Sequence, residues 1–172
     1  MTGIARPFGR LFEDFVVGDV YLHWPGKTIT RAEDMQFTTM TLTNHPLHLD
    51  DNYASRVTPS GKPIVVGTLV YSVVFGQSIP DVSGRAITTL EVESVVHPNS
   101  AFHGDTIYSE SEVLEVRPSS SRPDRGIVRV RTSGYNQDGV IVCVFTRKVL
   151  VPRRGFGFED HLGRPEPRRP VD

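Results

Sequence analysis

Two histidines three positions apart carry the densest chemistry in the chain. They are His45 and His48, and they close the run Phe37-Thr-Thr-Met-Thr-Leu-Thr-Asn-His-Pro-Leu-His48. Imidazole titrates near neutral pH, so a pair of histidines at a rigid turn predicts an acid/base centre. A single histidine in a loop is more often an ordinary surface residue, and the residues around the pair must decide between the two interpretations.

The elements that position this pair are marked in the sequence. Thr30 with Glu33 three residues later forms a capping box, which predicts a helix over about 31–41. The helical pattern breaks at Asn44-His45-Pro46. A short turn and helix should follow over about 47–56, with Asp50 or Asp51 as its N-cap. The sequence therefore predicts that the histidines lie between two helices.

A long apolar run predicts the centre of the fold. Ile64–Phe75 has the length and the flanking glycines of a helix that is buried nearly all round. The segments rich in β-branched residues predict a short first strand over 20–23 and four longer strands over about 88–96, 105–115, 126–135 and 140–151. The tight turn Asn136-Gln-Asp-Gly139 indicates a hairpin. We therefore expect an α+β fold with an antiparallel sheet.

Composition excludes several classes of protein. The chain has 172 residues, and its 19 Lys and Arg nearly balance its 20 Asp and Glu, so nucleic acid is not an expected partner. Cys143 is the only cysteine and lies in an apolar run, which predicts a core residue and no cysteine-based metal site. No apolar run reaches about 20 residues, so we expect no membrane span and a soluble, cytoplasmic protein. One domain over 1–154 and an irregular tail over 155–172 are expected.

Landmarks along the chain occur in the order found in one enzyme family. They are Phe12-Glu-Asp-Phe-Val-Val-Gly-Asp19, the run ending at His48, Val66-Gly67, His103-Gly-Asp-Thr-Ile107 and Val149-Leu-Val151. The run resembles the signature Phe-Ser-x-Leu-Thr-Gly-Asp-x-Asn-Pro-Leu-His of the MaoC-like dehydratases, which include (R)-specific enoyl-CoA hydratases. The resemblance covers about 9–154. It implies a hot-dog fold, in which a curved antiparallel sheet wraps a long central helix.

The resemblance also implies a reaction and a set of roles. Members of the family add water to, or remove it from, the Cα–Cβ bond of acyl-CoA thioesters, with no metal and no cofactor other than the coenzyme A of the substrate. His48 matches the signature histidine. The backbone N–H of Gly67 is expected to face the thioester oxygen, and Asn44 and Val66 are grouped with it as substrate-binding residues. The family commonly pairs two units, so we expect a homodimer or a larger homo-oligomer.

The chain departs from the signature where the chemistry matters most. Thr43 stands at the position of the catalytic Asp, Leu42 at that of the Gly, and His45 at that of the Asn. A threonine hydroxyl is not ionised at neutral pH and cannot replace a carboxylate base. Thr43 is therefore expected at most to orient water by hydrogen bonding.

Three interpretations remain open from the sequence. His48 and His45 together perform the proton transfers, or the substrate brings its own carboxylate, which His45 holds as an imidazolium. The second case resembles the branch acting on branched C5 dicarboxylyl-CoA esters such as itaconyl-CoA or mesaconyl-CoA. In the third, the chain is a non-catalytic acyl-CoA-binding subunit. A thioesterase is less favoured because residues 67–80 offer no carboxylate on the central helix before Asp81. A metal site of His45, His48 and Asp50 is also disfavoured, since no further ligand is evident.

Overall fold

A five-stranded antiparallel sheet and one long helix make up the body of the protein. The computed structural model describes residues 8–158. The strands are β1 (Val20–Thr28), β2 (Thr88–Val96), β3 (Thr106–Pro118), β4 (Arg125–Tyr135) and β5 (Ile141–Pro152), in the order β1-β3-β4-β5-β2. The helices are α1 (Arg31–Thr41), α2 (Pro46–Leu49), α3 (Asp51–Val57) and α4 (Gly67–Ser78), and one π turn, Ile79–Ser83, follows α4.

Helix α4 packs against the sheet through one face. Val70 and Val74 are buried there, in a core that includes Phe145 of β5. Gly134 of β4 permits the close approach, because a Cβ at this position would lie 2.3 Å from Cγ2 of Val74. The predicted α+β architecture is confirmed. The expectation that the helix is buried all round is wrong for the single chain, since Thr68, Ser72 and Gly76 form an exposed stripe.

The capping box predicted at the start of α1 is present. The Thr30 hydroxyl accepts a hydrogen bond from Glu33 N at 3.3 Å, and the Glu33 carboxylate accepts one from Thr30 N at 2.9 Å. The helix ends at Leu42, whose φ of 58° is left-handed. That conformation costs a residue with a Cβ about 1–2 kcal/mol. This explains why a glycine suits the same position of the family signature.

Other elements extend or refine the predicted boundaries. Strand β1 runs five residues past His23, through Pro25, which an edge strand tolerates because one side of its backbone has no strand partner. The turn and helix predicted over 47–56 are present as the single turn α2 and helix α3, and Asp50, one of the two predicted caps, accepts from Tyr53 N at the start of α3. Residues 64–66 precede α4 in extended conformation.

The chain ends give little further information. Of the predicted irregular tail over 155–172, only residues 155–158 are described, without a helix or strand of regular length, and the rest lies outside the described residues. Cys143 is buried in the core as predicted. Within residues 8–158, no helix is long and apolar enough to cross a membrane.

Candidate functional site

A cavity of about 310 Å³ opens at the N-terminal end of α4. Its lining brings together His48 from α2, Gly67 from α4 and His97 from the end of β2. Apolar and small polar residues complete the wall: Ile64, Val65, Val70, Pro98, Asn99, Ser100, Ala101 and Val142. A concave, mostly apolar space with a few convergent polar groups is the usual form of a small-molecule site.

His48 is held in one orientation by the chain that forms the cavity wall. Its Nδ1 lies 2.8 Å from the carbonyl oxygen of Ile64. A carbonyl only accepts hydrogen bonds, so Nδ1 carries the proton and donates. In the neutral ring Nε2 is therefore the basic nitrogen. The wall itself is fixed because Val65 N donates to the carbonyl oxygen of Ala101 at 2.9 Å.

Gly67 provides a free amide at the start of α4. Val66 is the N-cap, and the N–H of Leu69 already donates to the Val66 carbonyl oxygen. Among the described residues, neither the N–H of Gly67 nor that of Thr68 makes a hydrogen bond. The unpaired amides and the positive end of the helix dipole together favour an oxygen with negative charge at this point.

A buried carboxylate fixes where α4 begins. Asp34 of α1 is fully buried, and its Oδ1 accepts a hydrogen bond from Val66 N at 3.2 Å. Its Oδ2 accepts a second one from Nε2 of His103 at 2.8 Å. The N–H of Val66 donates to Asp34 and is not available to a ligand. Gly67, the next residue, is therefore the first one whose amide can bind a ligand at this end of α4.

His97 packs directly on the start of α4. A Cβ added to Gly67 would lie 3.2 Å from both Cδ2 and Nε2 of the His97 ring. Nδ1 of His97 lies 3.1 Å from the carbonyl oxygen of Val142, so it donates there, and Nε2 remains free. The ring is otherwise exposed in the single chain. Glycine at position 67 is what allows an imidazole so close to the helix.

The other residues predicted for the site lie outside the cavity lining. The Thr43 hydroxyl is 2.9 Å from that of Thr41, and Asn44 is exposed. His45 caps α2: its Nδ1 accepts from Leu47 N at 3.1 Å, and its ring centre is 6.3 Å from that of His48. The structure thus brings His48 and Gly67 to one cavity, and His45 lies next to His48 outside the cavity lining. Within residues 8–158, no cluster of His, Cys, Asp and Glu could hold a metal ion.

Sequence reasoning missed Asp34, His97 and His103. His97 belongs to no motif, and 69 positions separate Asp34 from His103. One signal was available, because His103 stands inside a landmark of the family and Asp34 lies in the first turn of the predicted helix over 31–41.

A serine, a histidine and an aspartate also meet elsewhere in the molecule. Nε2 of His23 lies 2.8 Å from Oγ of Ser111, and Nδ1 lies 2.8 Å from Oδ2 of Asp81. Ser111 is fully buried and also bonds the hydroxyl of Thr132. Burial lowers the pKa of the His23 imidazole, and the hydrogen bond to Asp81 partly opposes this effect. A nucleophile must reach its substrate, so this cluster is a polar anchor between β1, β3, β4 and the turn after α4.

Comparisons with a family model and with curated proteins point to the same family. The family model described as mesaconyl-CoA hydratase matches residues 4–164. Mesaconyl-CoA hydratase of Cereibacter sphaeroides is 31% identical over 146 residues, which are 85% of this chain and 42% of that protein. β-Methylmalyl-CoA dehydratase of Chloroflexus aurantiacus is 32% identical over 160 residues, covering 84% of this chain and 45% of that protein. The chain spans less than half the length of these curated relatives.

A solved structure agrees with the fold. The MaoC-like dehydratase from Rhodospirillum rubrum superposes with a TM-score of 0.75 at 30% identity and covers 85% of this chain and 99% of that chain. The hot-dog fold expected from the resemblance is confirmed. One unit of this fold therefore occurs both in chains of about this extent and in relatives more than twice as long.

Proposed function

The chain belongs to the mesaconyl-CoA hydratase family, and we propose that it adds water to, or removes it from, the Cα–Cβ bond of an enoyl-CoA thioester with a branched C5 dicarboxylyl group. The observation that carries the proposal is the shared cavity of His48 and Gly67. Hydration requires a base for water and a donor for the charge that develops on the thioester oxygen. An oriented imidazole and a free helix amide supply these two functions.

The geometry assigns a role to each group. Nε2 of His48 faces the reaction as an acceptor because Nδ1 is committed to Ile64, and it takes a proton from the attacking water. The Gly67 N–H binds the thioester oxygen, which becomes negative as water adds to Cβ. Coenzyme A enters only as part of the substrate. A preformed donor of this kind stabilises the enolate without rearrangement of the protein.

The free carboxylate of a dicarboxylyl substrate also needs a partner. Among the described residues that line the cavity there is no Lys or Arg. His45 cannot become an imidazolium without losing its cap, because its Nδ1 accepts the hydrogen bond from Leu47 N. It can still donate from Nε2 as a neutral ring. We therefore assign the substrate carboxylate to neutral donors of this wall, which are the Ser100 hydroxyl and the second N–H of the Asn99 amide, whose first N–H donates to the Ile141 carbonyl oxygen at 2.9 Å, or to a cation from a second unit.

The proposal is tested with three substrates. We expect turnover of mesaconyl-CoA or itaconyl-CoA with kcat/KM at least about 10-fold above that of crotonyl-CoA, which lacks the second carboxylate. Loss of the enoyl thioester is followed by ultraviolet absorbance, and the product is identified by mass. Equal turnover of crotonyl-CoA would contradict the proposed specificity for dicarboxylyl substrates, but it would still support hydratase activity.

The same assay separates the two other interpretations. A non-catalytic subunit would bind acyl-CoA, measured by calorimetry, and turn over none of the three esters. A thioesterase would release free coenzyme A, which a thiol reagent detects, at a rate equal to the loss of substrate. Hydration releases no thiol, so the appearance of thiol without hydrated product would overturn the proposal.

We further propose that a second copy of this chain pairs with the β2 edge. β2 has a strand partner on one side only, and the side chains of Leu90, Val92, Val95 and Val96 are exposed there. Helix α4 packs mainly on β1, β3, β4 and β5. An unpaired, apolar edge next to the cavity residue His97 suits a second unit of the same fold.

The cytoplasmic location expected from the sequence stays a prediction.

Sedimentation equilibrium tests the pairing. The protein is expected at twice the mass of the chain, and Val95→Lys is expected to weaken association at least about 10-fold, because a charge would be buried at the interface. Val57→Lys on α3, where the valine is similarly exposed, is the matched control and should associate normally. A monomer at micromolar concentration, or equal association of both variants, would contradict the assignment of this edge.

A further inference from the structure

His97 and His48 are presented to the cavity in the same way. Each ring donates its Nδ1–H to a backbone carbonyl oxygen, that of Val142 for His97 and that of Ile64 for His48. Each therefore leaves Nε2 as the nitrogen that gains and loses a proton. Both rings line the cavity at the start of α4. The pair offers two proton-transfer groups at one site, which is what hydration requires.

The position of His97 beside Gly67 indicates which substrate carbon His97 could protonate. The thioester oxygen sits on the Gly67 N–H in the proposed function, and Cα is bonded directly to the thioester carbonyl carbon. The His97 ring packs on Gly67, and on this ground we place it beside the thioester carbonyl and Cα. His48 is then left to serve water at Cβ, one bond further along the substrate.

We propose that His97 is the second catalytic residue and performs the proton transfer at Cα. The inference rests on the proposed function. In hydration, Nε2 of neutral His48 takes a proton from water, whose oxygen bonds to Cβ. The electrons of the double bond move to the thioester oxygen as an enolate, and Nε2–H of protonated His97 then delivers its proton to Cα. His48 returns its proton through solvent and His97 regains one.

This assignment accounts for the absence of the signature carboxylate. Thr43 has no ionisable group, and its hydroxyl bonds Thr41 outside the cavity lining. A second imidazole restores the pair of proton-transfer groups without that carboxylate. Close packing on Gly67 is the competing explanation for His97. It predicts that shape and the bond to Val142 matter, whereas the acid/base role predicts that Nε2 matters.

The variant His97→Asn separates these explanations. Its side-chain amide can still donate to the Val142 carbonyl oxygen, but it has no counterpart of Nε2. We expect kcat for hydration to fall at least about 100-fold with KM within about 3-fold.

Each outcome decides the inference. A His97→Asn variant with nearly full activity would show that His97 only packs against Gly67, and the proposed function would stand. Wild-type protein without turnover of any ester would overturn both proposals. His97→Phe keeps a ring against Gly67 and serves if the asparagine variant fails to fold. Full activity of His97→Phe would overturn the inference, and a fall in kcat of at least about 100-fold would support it.

Discussion

Replacing His48 by alanine is expected to lower kcat/KM for hydration of mesaconyl-CoA by about 10³-fold or more. The imidazole is the only group of the cavity wall on α2, and its Nε2 is the proposed base for water. General acid/base catalysis by one side chain contributes about 10²–10⁴-fold, so its removal leaves the oxyanion donor and substrate binding to supply the remaining rate. Steady-state kinetics with wild type and variant at matched pH measure the effect.

The controls distinguish loss of the base from loss of the wall. His48→Asn retains an amide that can donate to the Ile64 carbonyl oxygen, as Nδ1 does now, so the loop should keep its conformation. This variant should melt close to wild type, bind acyl-CoA and be as inactive as His48→Ala. If the asparagine variant recovered most of the activity, His48 would hold the loop and another group would be the base.

The elements of the fold were predictable because their signals are local. The capping box of Thr30 and Glu33 gave α1 its observed bounds, and the β-branched runs gave β2 its bounds as well. The apolar run 64–75 includes three residues that precede α4, because 64–66 are as apolar as the helix itself, although Gly67 marked its start. Only tertiary contacts, such as the bond from Val65 N to Ala101, hold that segment extended. The exposed face of α4 was not predicted either, because the helix as a whole is apolar and its average hydropathy does not reveal one exposed stripe.

Only those residues of the candidate site that match the family signature could be predicted from the sequence. His48 and Gly67 could be named from the signature, and the structure places them on one cavity. His97 could not, because its relation to Gly67 depends on how β2 is placed beside β5. The roles of Thr43, Asn44 and His45 stay predictions, although these residues do not line the cavity. Sequence reasoning finds groups fixed by a local turn and misses groups that long-range packing brings together.

Replacing Asp34 by alanine is expected to destabilise the protein by about 3–5 kcal/mol. The carboxylate is fully buried and accepts hydrogen bonds from Val66 N and from His103 Nε2. Alanine would leave both donors without their partner, and each donor left unsatisfied in or near the core costs about 1–3 kcal/mol. The start of α4 would lose its anchor, so kcat should also fall at least about 10-fold. Urea unfolding and steady-state kinetics provide the two measurements.

Two further variants test whether burial and bonding are the cause. Asp34→Asn keeps an oxygen for Val66 N, so the Gly67 amide should stay in place and activity should exceed that of Asp34→Ala. Asp51→Ala removes an exposed carboxylate whose ion pair with Arg31 is 2.8 Å long, and exposed pairs contribute about 0–1 kcal/mol. Should Asp34→Ala lose no more stability than Asp51→Ala, the buried pair would not be what sets the first turn of α4. The free amide at Gly67 would then need another origin, in the packing of His97 against it.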